Sequence, residues 1–541
     1  MMQKVFQECL TLDNHVREVY GISEDVMMEH AAQSMADAIR EAVLMKWPDF
    51  IKEQSCPAYS VSPAFLPPSY MKYVENPFQT SAYPLTVMIL VGPGNNGADG
   101  YALARLLQHQ FNVLLFAPFT ALTEMAQLQK KRALNAGIKL IEAQEESLNR
   151  FMQQAPADIY VDALFGASQY RKMSVDLMGL LNAVNDRAGL KIACDIPTGI
   201  YENPFKADIT VTMGALKEVL FLDSSKGAVG KIIVADLGIS RQLYEAVDNA
   251  YDKETFDGQA TNSESGKKPY TNTYLLELRD LKLPLRSESD SNKGDYGFLS
   301  VIKGEQAGAS ILSSLAGIRF GAGIVGLVGQ GDKPSEVMQM LALSPKTTAI
   351  AVGMGLGANV KHHDLARLAN YPLVVDADLF YDSAFIQQLQ SKQDVVFTPH
   401  PKELMILLEN AGIDISPMID SSNPTILDIQ RYRFALARCF TQIYRGVLVL
   451  KGANTLIAQD GMIYISTFGT NRLAKGGSGD VLAGMIGALL AQGYAPLNAG
   501  IQAVLAHGLA SQNSGIANYA FTPLDLIDGL SKLDRIVKGA L

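Results

Sequence analysis

One acid stands at the end of a glycine-rich run. Ala-Lys-Gly-Gly-Ser-Gly-Asp-Val-Leu-Ala-Gly (474–484) places Asp480 where the glycines give way to an apolar helical pattern. A glycine-rich turn lets backbone N–H groups converge on an anion, and the helix that follows adds the positive end of its dipole. A phosphate suits such a place, but a bare carboxylate beside it does not. The conflict resolves if Asp480 takes the proton of a substrate hydroxyl that attacks a nucleotide phosphate. The plainer reading is a helix start with an acid at the favourable end of its dipole.

A second constellation lies near the start of the chain. Gly-Pro-Gly-Asn-Asn-Gly-Ala-Asp-Gly (92–100) follows the apolar run Thr-Val-Met-Ile-Leu-Val (86–91) and opens a helical pattern at Tyr101. Strand, glycine turn and helix together hold phosphate on backbone N–H groups. This turn also presents Asn95, Asn96 and Asp99. Two further acids, Asp162 in Ile-Tyr-Val-Asp-Ala-Leu-Phe-Gly (159–166) and Asp195 in Lys-Ile-Ala-Cys-Asp-Ile-Pro-Thr-Gly-Ile (191–200), stand at strand ends. Taken alone, either could merely end a strand or start a turn.

Strand and helix signals alternate around these residues. Ser23 caps a helical pattern with the stripe Met27, Ala31, Met35, Ile39, and a further strand–helix unit spans 111–137. Such alternation predicts an α/β fold with parallel sheets covered on both faces, and ligands beyond the strands' carboxyl ends. With 541 residues the chain needs more than one core. Polar text from about 247 marks a linker, so the expected division is a first domain over 1–246, a linker over 247–271 and a second domain over 272–541. The segment 45–84 carries seven prolines among aromatics and reads as an insertion.

Composition narrows the function classes. A net charge of −9 without a basic cluster speaks against nucleic acid as a partner. The four cysteines (Cys9, Cys56, Cys194, Cys439) are scattered without CxxC spacing, which fits reduced thiols. His362 and His363 read as a solvated helix start rather than a zinc site. No apolar run is long enough for a membrane span and the N-terminus lacks a signal-peptide pattern, so a soluble, cytoplasmic protein is expected.

The motifs together resemble known families. The run at 474–484 is similar to the phosphate-anchoring loop of the ribokinase-like superfamily. Asp-Ala-Asp (376–378), Thr-Pro-His-Pro-Lys-Glu (398–403) and Lys-Gly-Ala-Asn-Thr (451–455), in that order, narrow the likeness to the ADP- or ATP-dependent NAD(P)H-hydrate dehydratase branch. Lys-Gly-Asp-Tyr-Gly-Phe-Leu-Ser-Val-Ile-Lys-Gly (293–304) resembles that family's first strand. The segments at 92–100, 161–166, 195–199 and 21–32 resemble the NAD(P)H-hydrate epimerase domain. The resemblance implies a Rossmann-like three-layer sandwich followed by a ribokinase-like α/β domain. It implies repair of the hydrated cofactors NADHX and NADPHX: exchange of R and S epimers, then dehydration of the S form at the expense of ADP, giving AMP and phosphate.

Site residues follow from the same resemblance. In the first domain Asn95, Asn96, Gly97, Ala98 and Asp99 would contact the hydrated nucleotide. Gly166, Ala167, Ser168, Gln169, Tyr170, Arg171 and Lys172 would cover its phosphates. Asn96, Asp162 and Thr198 would bind potassium, and Asp195 would transfer the proton at the nicotinamide ring. In the second, Ala309, Gly357, His400 and Asp480 would line the substrate, with Asp480 as base. Lys451, Gly452, Ala453, Asn454, Thr455 and Gly479 would hold the nucleoside diphosphate, with magnesium between the phosphates and Glu403 organising it through water. Family members assemble as homo-oligomers.

Four positions depart from the family pattern. Gly97–Ala98 replaces a glycine pair, Thr198 a serine, Met354 a proline and Lys402 a glycine. A methyl group at Ala98 weakens the epimerase if the backbone there needs glycine. Two rival readings remain at this stage: a ribokinase-like small-molecule kinase with a regulatory N-terminal domain, and a nucleotide-binding module without turnover.

Overall fold

The computed structural model describes residues 2–47, 84–142, 156–166, 173–246, 271–357, 365–419, 421 and 423–540. The proline-rich insertion and the linker, apart from their ends, lie outside the described residues, as do Cys56, residues 167–172, His362 and His363. The chain gathers into two compact units. One comprises Phe6–Leu220 and Ser224–Tyr270; the other comprises Met1–Val5, Phe221–Asp223 and Thr271–Leu541.

The chain opens with strand β1 (Gln3–Phe6) and helix α1 (Leu10–Tyr20). Helix α2 (Glu24–Lys46) is capped by the Ser23 hydroxyl, which accepts from the Val26 N–H, and buries Met27, Ala31, Met35 and Ile39 as its spacing predicts. The first unit is then built on strands β2 (Thr86–Val91), β3 (Asn112–Ala117), β4 (Lys139–Glu142), β5 (Ile159–Ala163), β6 (Leu190–Cys194) and β7 (Ile209–Met213). The short β8 (Leu216–Lys217) and then β9 (Lys231–Ala235) follow. Helices α3 (Asn95–Leu107), α4 (Glu124–Asn135) and α5 (Val175–Asn185) connect them.

The sheet runs β4–β3–β2–β5–β6–β7–β9, and all its pairings are parallel. Strand order reverses between β2 and β5, and the crevice at their carboxyl ends is where such sheets bind ligands. Separate apolar cores lie on the two faces, one around Ile89, Tyr101 and Val161, the other around Leu90, Tyr160 and Leu180. Cover on both faces explains why β2 reads as an unbroken apolar run rather than an alternation.

The second unit repeats the layout. Its strands are β10 (Thr273–Leu275), β11 (Phe298–Ile302), β12 (Ile324–Val328), β13 (Met338–Met340), β14 (Ala349–Val352), β15 (Leu373–Val375), β16 (Val395–Phe397), β17 (Val447–Leu450), β18 (Thr455–Gln459) and β19 (Met462–Ser466). They run β13–β12–β11–β14–β15–β16–β17–β18–β19–β10–β1, with order reversing between β11 and β14. Pairings are parallel from β13 to β17, and β18 lies antiparallel to β17 and β19. β1 pairs antiparallel with β10, Gln3 facing Leu275 and Val5 facing Thr273.

Helices α6 (Ala307–Arg319), α7 (Pro401–Asn410), α8 (Arg433–Ile443), α9 (Ser478–Ala491) and α10 (Pro496–Gln512) cover this sheet. Helix α9 is buried on nearly every side, which is why its sequence after Asp480 carries no charge. It crosses α6 so closely that a Cβ on Gly484 would meet the Ser313 carbonyl oxygen at 2.1 Å. Fully burying each of Leu482, Met485, Ile486 and Leu489 contributes about 1.5–3 kcal/mol. No helix of the described residues is long and apolar enough to cross a membrane.

Candidate active sites

In the first unit the glycine turn after β2 lies flush against the segment after β5. A Cβ on Gly92 would fall 1.6 Å from the Leu164 carbonyl oxygen, and one on Gly97 would fall 1.9 Å from the Gly92 oxygen. Glycine at both positions is therefore a steric demand. The turn delivers Asn96 into the interior: it is 8% exposed, and neither its Oδ1 nor its Nδ2 has a hydrogen-bond partner among the described residues. Asn95 turns elsewhere, its amide donating to Glu24 Oε1 at 2.5 Å.

Asp162 is wholly buried at the end of β5. Its Oδ2 accepts the Thr198 N–H at 2.7 Å, and its Oδ1 accepts the Thr198 hydroxyl at 2.8 Å and the Leu164 N–H at 3.1 Å. Burial lifts its carboxyl to about 6 against these hydrogen bonds. Asp195 follows β6 in a left-handed conformation (φ +67°), a backbone state uncommon for a residue with a side chain. Its Oδ1 takes the Lys217 ammonium at 2.7 Å and the Met213 N–H at 3.2 Å. Its Oδ2 faces the other way, 2.9 Å from where a Cβ on Gly166 would stand; Asn96 Oδ1 is 3.6 Å from that same point. The structure thus gathers Asn96, Gly166 and Asp195 at one spot.

Lys217 completes this centre, and the sequence reading passed over it. Its Nζ also donates to the Thr212 hydroxyl and the Met213 carbonyl, each at 3.0 Å. Burial works against its charge, yet the Asp195 carboxylate holds the ammonium above its ordinary range. Cys9 remains a thiol, pushed up to about 12 chiefly by burial. Asp99 is also buried, and desolvation together with the nearby Asp195 charge keeps its carboxyl well above the usual range. Ala98 sits in α3 with its methyl against Met28 and Ala126 and is not among the residues with positive φ. Nothing in the backbone at 98 calls for glycine.

In the second unit the acids and Lys451 converge at the carboxyl ends of β15, β16 and β17. Lys451 Nζ lies 2.9 Å from Asp376 Oδ1 and 3.5 Å from Glu403 Oε2. The same Asp376 oxygen accepts the buried Thr398 hydroxyl at 2.8 Å. His400 caps α7: its Nδ1 accepts the Glu403 N–H at 3.2 Å and its own N–H donates to Glu403 Oε2 at 2.8 Å. His400 Nε2 lies 3.2 Å from Glu403 Oε1. Gly479 brings the start of α9 onto the cluster, since a Cβ there would stand 3.3 Å from Lys451 Nζ.

Asp480 lies one residue further along α9, and its carbonyl accepts the Ser313 hydroxyl at 2.8 Å. Burial, then the Asp376 charge, lift its carboxyl to about 6, with Lys451 opposing. Burial pulls His507 of α10 down to about 4, so it is neutral, and its Nε2 donates to the Ser478 carbonyl at 2.9 Å behind the turn. Ala309, Gly355 and Gly357 gather at the β11–β14 crevice, and the Gly357 N–H donates to Asp378 Oδ2 at 2.8 Å. Asn454 stands apart from the others. Its carboxamide donates to the Phe221 and Leu222 carbonyls at 3.1 and 3.4 Å.

Lys217 had a legible signal, a lone lysine in the apolar text Ala-Leu-Lys-Glu-Val-Leu-Phe-Leu (215–222). Asp223, Arg433 and His507 had none, since each meets its partners only through the fold.

Comparisons with known proteins cover both units. A family model described as NAD(P)H-hydrate dehydratase matches residues 299–532, and one described as YjeF-related protein N-terminus matches residues 24–219. The bifunctional NAD(P)H-hydrate repair enzyme Nnr of Helicobacter pylori is 36% identical, with 98% of this chain and all of that protein covered. The enzyme of the same name from Escherichia coli is 28% identical over 84% of this chain and 86% of its own length. A solved ADP/ATP-dependent NAD(P)H-hydrate dehydratase of Bacillus subtilis is 24% identical with a TM-score of 0.39, covering 48% of this chain and 96% of its own. The names of the full-length relatives do not favour the kinase reading.

Proposed function

The chain belongs to the family of bifunctional NAD(P)H-hydrate repair enzymes, and from that membership we propose that it returns hydrated NADH and NADPH to the reduced cofactors in two steps. The observation that carries this reading is the 36% identity to a repair enzyme along essentially the whole chain. The first domain (1–246, apart from Met1–Val5 and Phe221–Asp223) exchanges the R and S epimers, and the second (272–541 with those two segments) dehydrates the S form, using ADP and releasing AMP and phosphate.

In the first step the hydroxyl sits on a carbon bonded to the ring nitrogen. Removing the hydroxyl proton lets the carbon–nitrogen bond open to a carbonyl, and reclosure on either face returns either epimer. Asp195 takes and returns that proton at Oδ2, which lies beside Gly166 and Asn96, while Lys217 holds Oδ1. Potassium is the cation that the family implies. Asn96, with an orphaned buried amide, the Asp162 carboxylate and the Thr198 hydroxyl form an oxygen-only donor set that fits a hard ion. Such an ion would supply a fixed positive charge to that site.

In the second step Asp480 takes the proton from the substrate hydroxyl as that oxygen attacks the terminal phosphoryl group of ADP. The bond to the AMP oxygen breaks. Phosphate then leaves with its electron pair, a neighbouring ring carbon gives up a proton, and the dihydronicotinamide double bond reforms. Lys451 and the N–H groups at Gly479 meet the phosphates. Magnesium would offset charge between them, and Glu403 and Asp376, the acids beside Lys451 Nζ, would hold it directly or through water.

An epimeric mixture of hydrated NADH with ADP, magnesium and potassium tests both steps through the near-ultraviolet absorbance of the reduced ring. Full recovery, faster than spontaneous epimerisation allows, is expected. Recovery of the S fraction alone would remove the epimerase assignment, and no recovery with ADP or ATP would remove the dehydratase assignment.

A further inference from the structure

Behind Lys451 lies a buried ion pair that the proposed chemistry does not use. Arg433, on α8, is wholly buried; its Nη1 meets Asp223 Oδ1 and its Nη2 donates to the Leu450 carbonyl at 3.3 Å. The same Asp223 oxygen accepts the Asn454 N–H at 3.0 Å. Between these two ties the chain presses on the pair itself. A Cβ on Gly452 would stand 2.3 Å from Asp223 Oδ2 and 2.8 Å from Arg433 Nη2. Leu450, Gly452 and Asn454 are thus all fixed by one aspartate and one arginine, while Lys451 projects to Asp376 and Glu403.

Asp223 comes from an unexpected part of the sequence. Phe221–Asp223 belong to the second compact unit, although they precede the linker. They also fall between the stretches matched by the two family models, 24–219 and 299–532. We infer that Asp223 and Arg433 are positioning residues for the nucleoside-diphosphate loop, setting the course of residues 450–454 so that Lys451 meets the phosphates. This rests on the reading of that loop given above. A buried pair is weak evidence for stability in its own right, since apolar replacements of similar volume are often neutral. A role in placing the loop accounts for the hydrogen bond to Asn454 and the close passage of Gly452, which a purely space-filling pair would not need.

The test is steady-state dehydration of the separated S epimer by Asp223→Asn in the full chain, with ADP varied. The KM for ADP is expected to rise at least about tenfold, because a small misplacement of a binding group carries a large kinetic penalty. The KM for the hydrated cofactor and the epimerisation rate should stay within about twofold, the latter reporting an intact first unit. In a Lys451→Ala background the same substitution should add little, because its effect runs through Lys451. If Asp223→Asn does not fold, the paired variant Asp223→Leu/Arg433→Met removes both charges and is read in the same way. An unchanged KM for ADP in a folded variant, or full additivity with Lys451→Ala, overturns the positioning role. Dehydration by the wild-type chain without any nucleotide would instead overturn the loop's reading.

Discussion

Lys217 Nζ and Asp195 Oδ1 are 2.7 Å apart in an almost wholly buried ion pair, with Asp195 in a left-handed backbone conformation. The pair divides the carboxylate's two oxygens between duties: one faces a cation, and the other faces the Gly166–Asn96 spot. Replacing Lys217 by Met leaves a buried carboxylate without its cation, which favours the neutral acid. The acid limb of the epimerisation profile should therefore move to higher pH, and stability should fall by about 3–5 kcal/mol. Dehydration of pure S epimer by the same preparation checks that the second unit is intact. An unshifted limb in a folded Lys217→Met would show that Lys217 does not keep Asp195 ionised.

As the proposed base, Asp480, lifted to about 6, would have to be ionised to accept the hydroxyl proton. The group works above that value and is silenced as pH falls through it. The kcat/KM for dehydration should accordingly drop with an apparent pKa near 6, the low-pH arm of a pH–rate profile. Asp480→Asn should cost on the order of 10²–10⁴-fold in kcat and leave ADP binding measurable by calorimetry. A substitution that cost less than tenfold would end the base assignment.

Neighbouring residues 97 and 98 should respond in opposite ways. Gly97→Ala forces a Cβ to within 1.9 Å of the Gly92 oxygen, so epimerisation and the melting of the first unit should both suffer severely. Ala98→Gly removes a packed methyl from a helix interior and should destabilise by about 0.5–1 kcal/mol without raising the epimerase rate. A faster epimerase in Ala98→Gly would restore the expectation that glycine is needed there.

Asn96 offers a direct probe of the potassium assignment. If its orphaned amide oxygen is a ligand, epimerisation and thermal stability of the wild type should increase as potassium replaces a larger cation such as tetramethylammonium. Asn96→Ala should flatten both responses. Equal potassium sensitivity in wild type and variant would place the ion elsewhere.

Much of the fold could be read from the sequence because its signals are local. The apolar run at 86–91 became β2, and the Ser23 cap and its stripe became α2. The motif residues Asp376, Thr398, His400 and Asp480 lie at strand ends or helix starts, where sequence periodicity changes and can be seen. The supporting residues have no such mark. His507 acts from mid-helix on a carbonyl 29 residues away, and Asp223 reaches Asn454 across 231 residues. Asn454 carries a motif mark, but the partners of its side-chain amide, the Phe221 and Leu222 carbonyls, have none.

Strand β1 has a consequence for synthesis. The Thr271 hydroxyl donates to the Val5 carbonyl across 266 residues, and β10, the partner of β1, follows directly. At ~5–20 residues per second the ribosome makes β1 roughly ten to fifty seconds before β10 exists. Through that interval the side of β1 that β10 will cover is open beside a growing chain, a window in which a chaperone can engage it. About half of the 541 residues must be made before β1 can take its hydrogen bonds to β10.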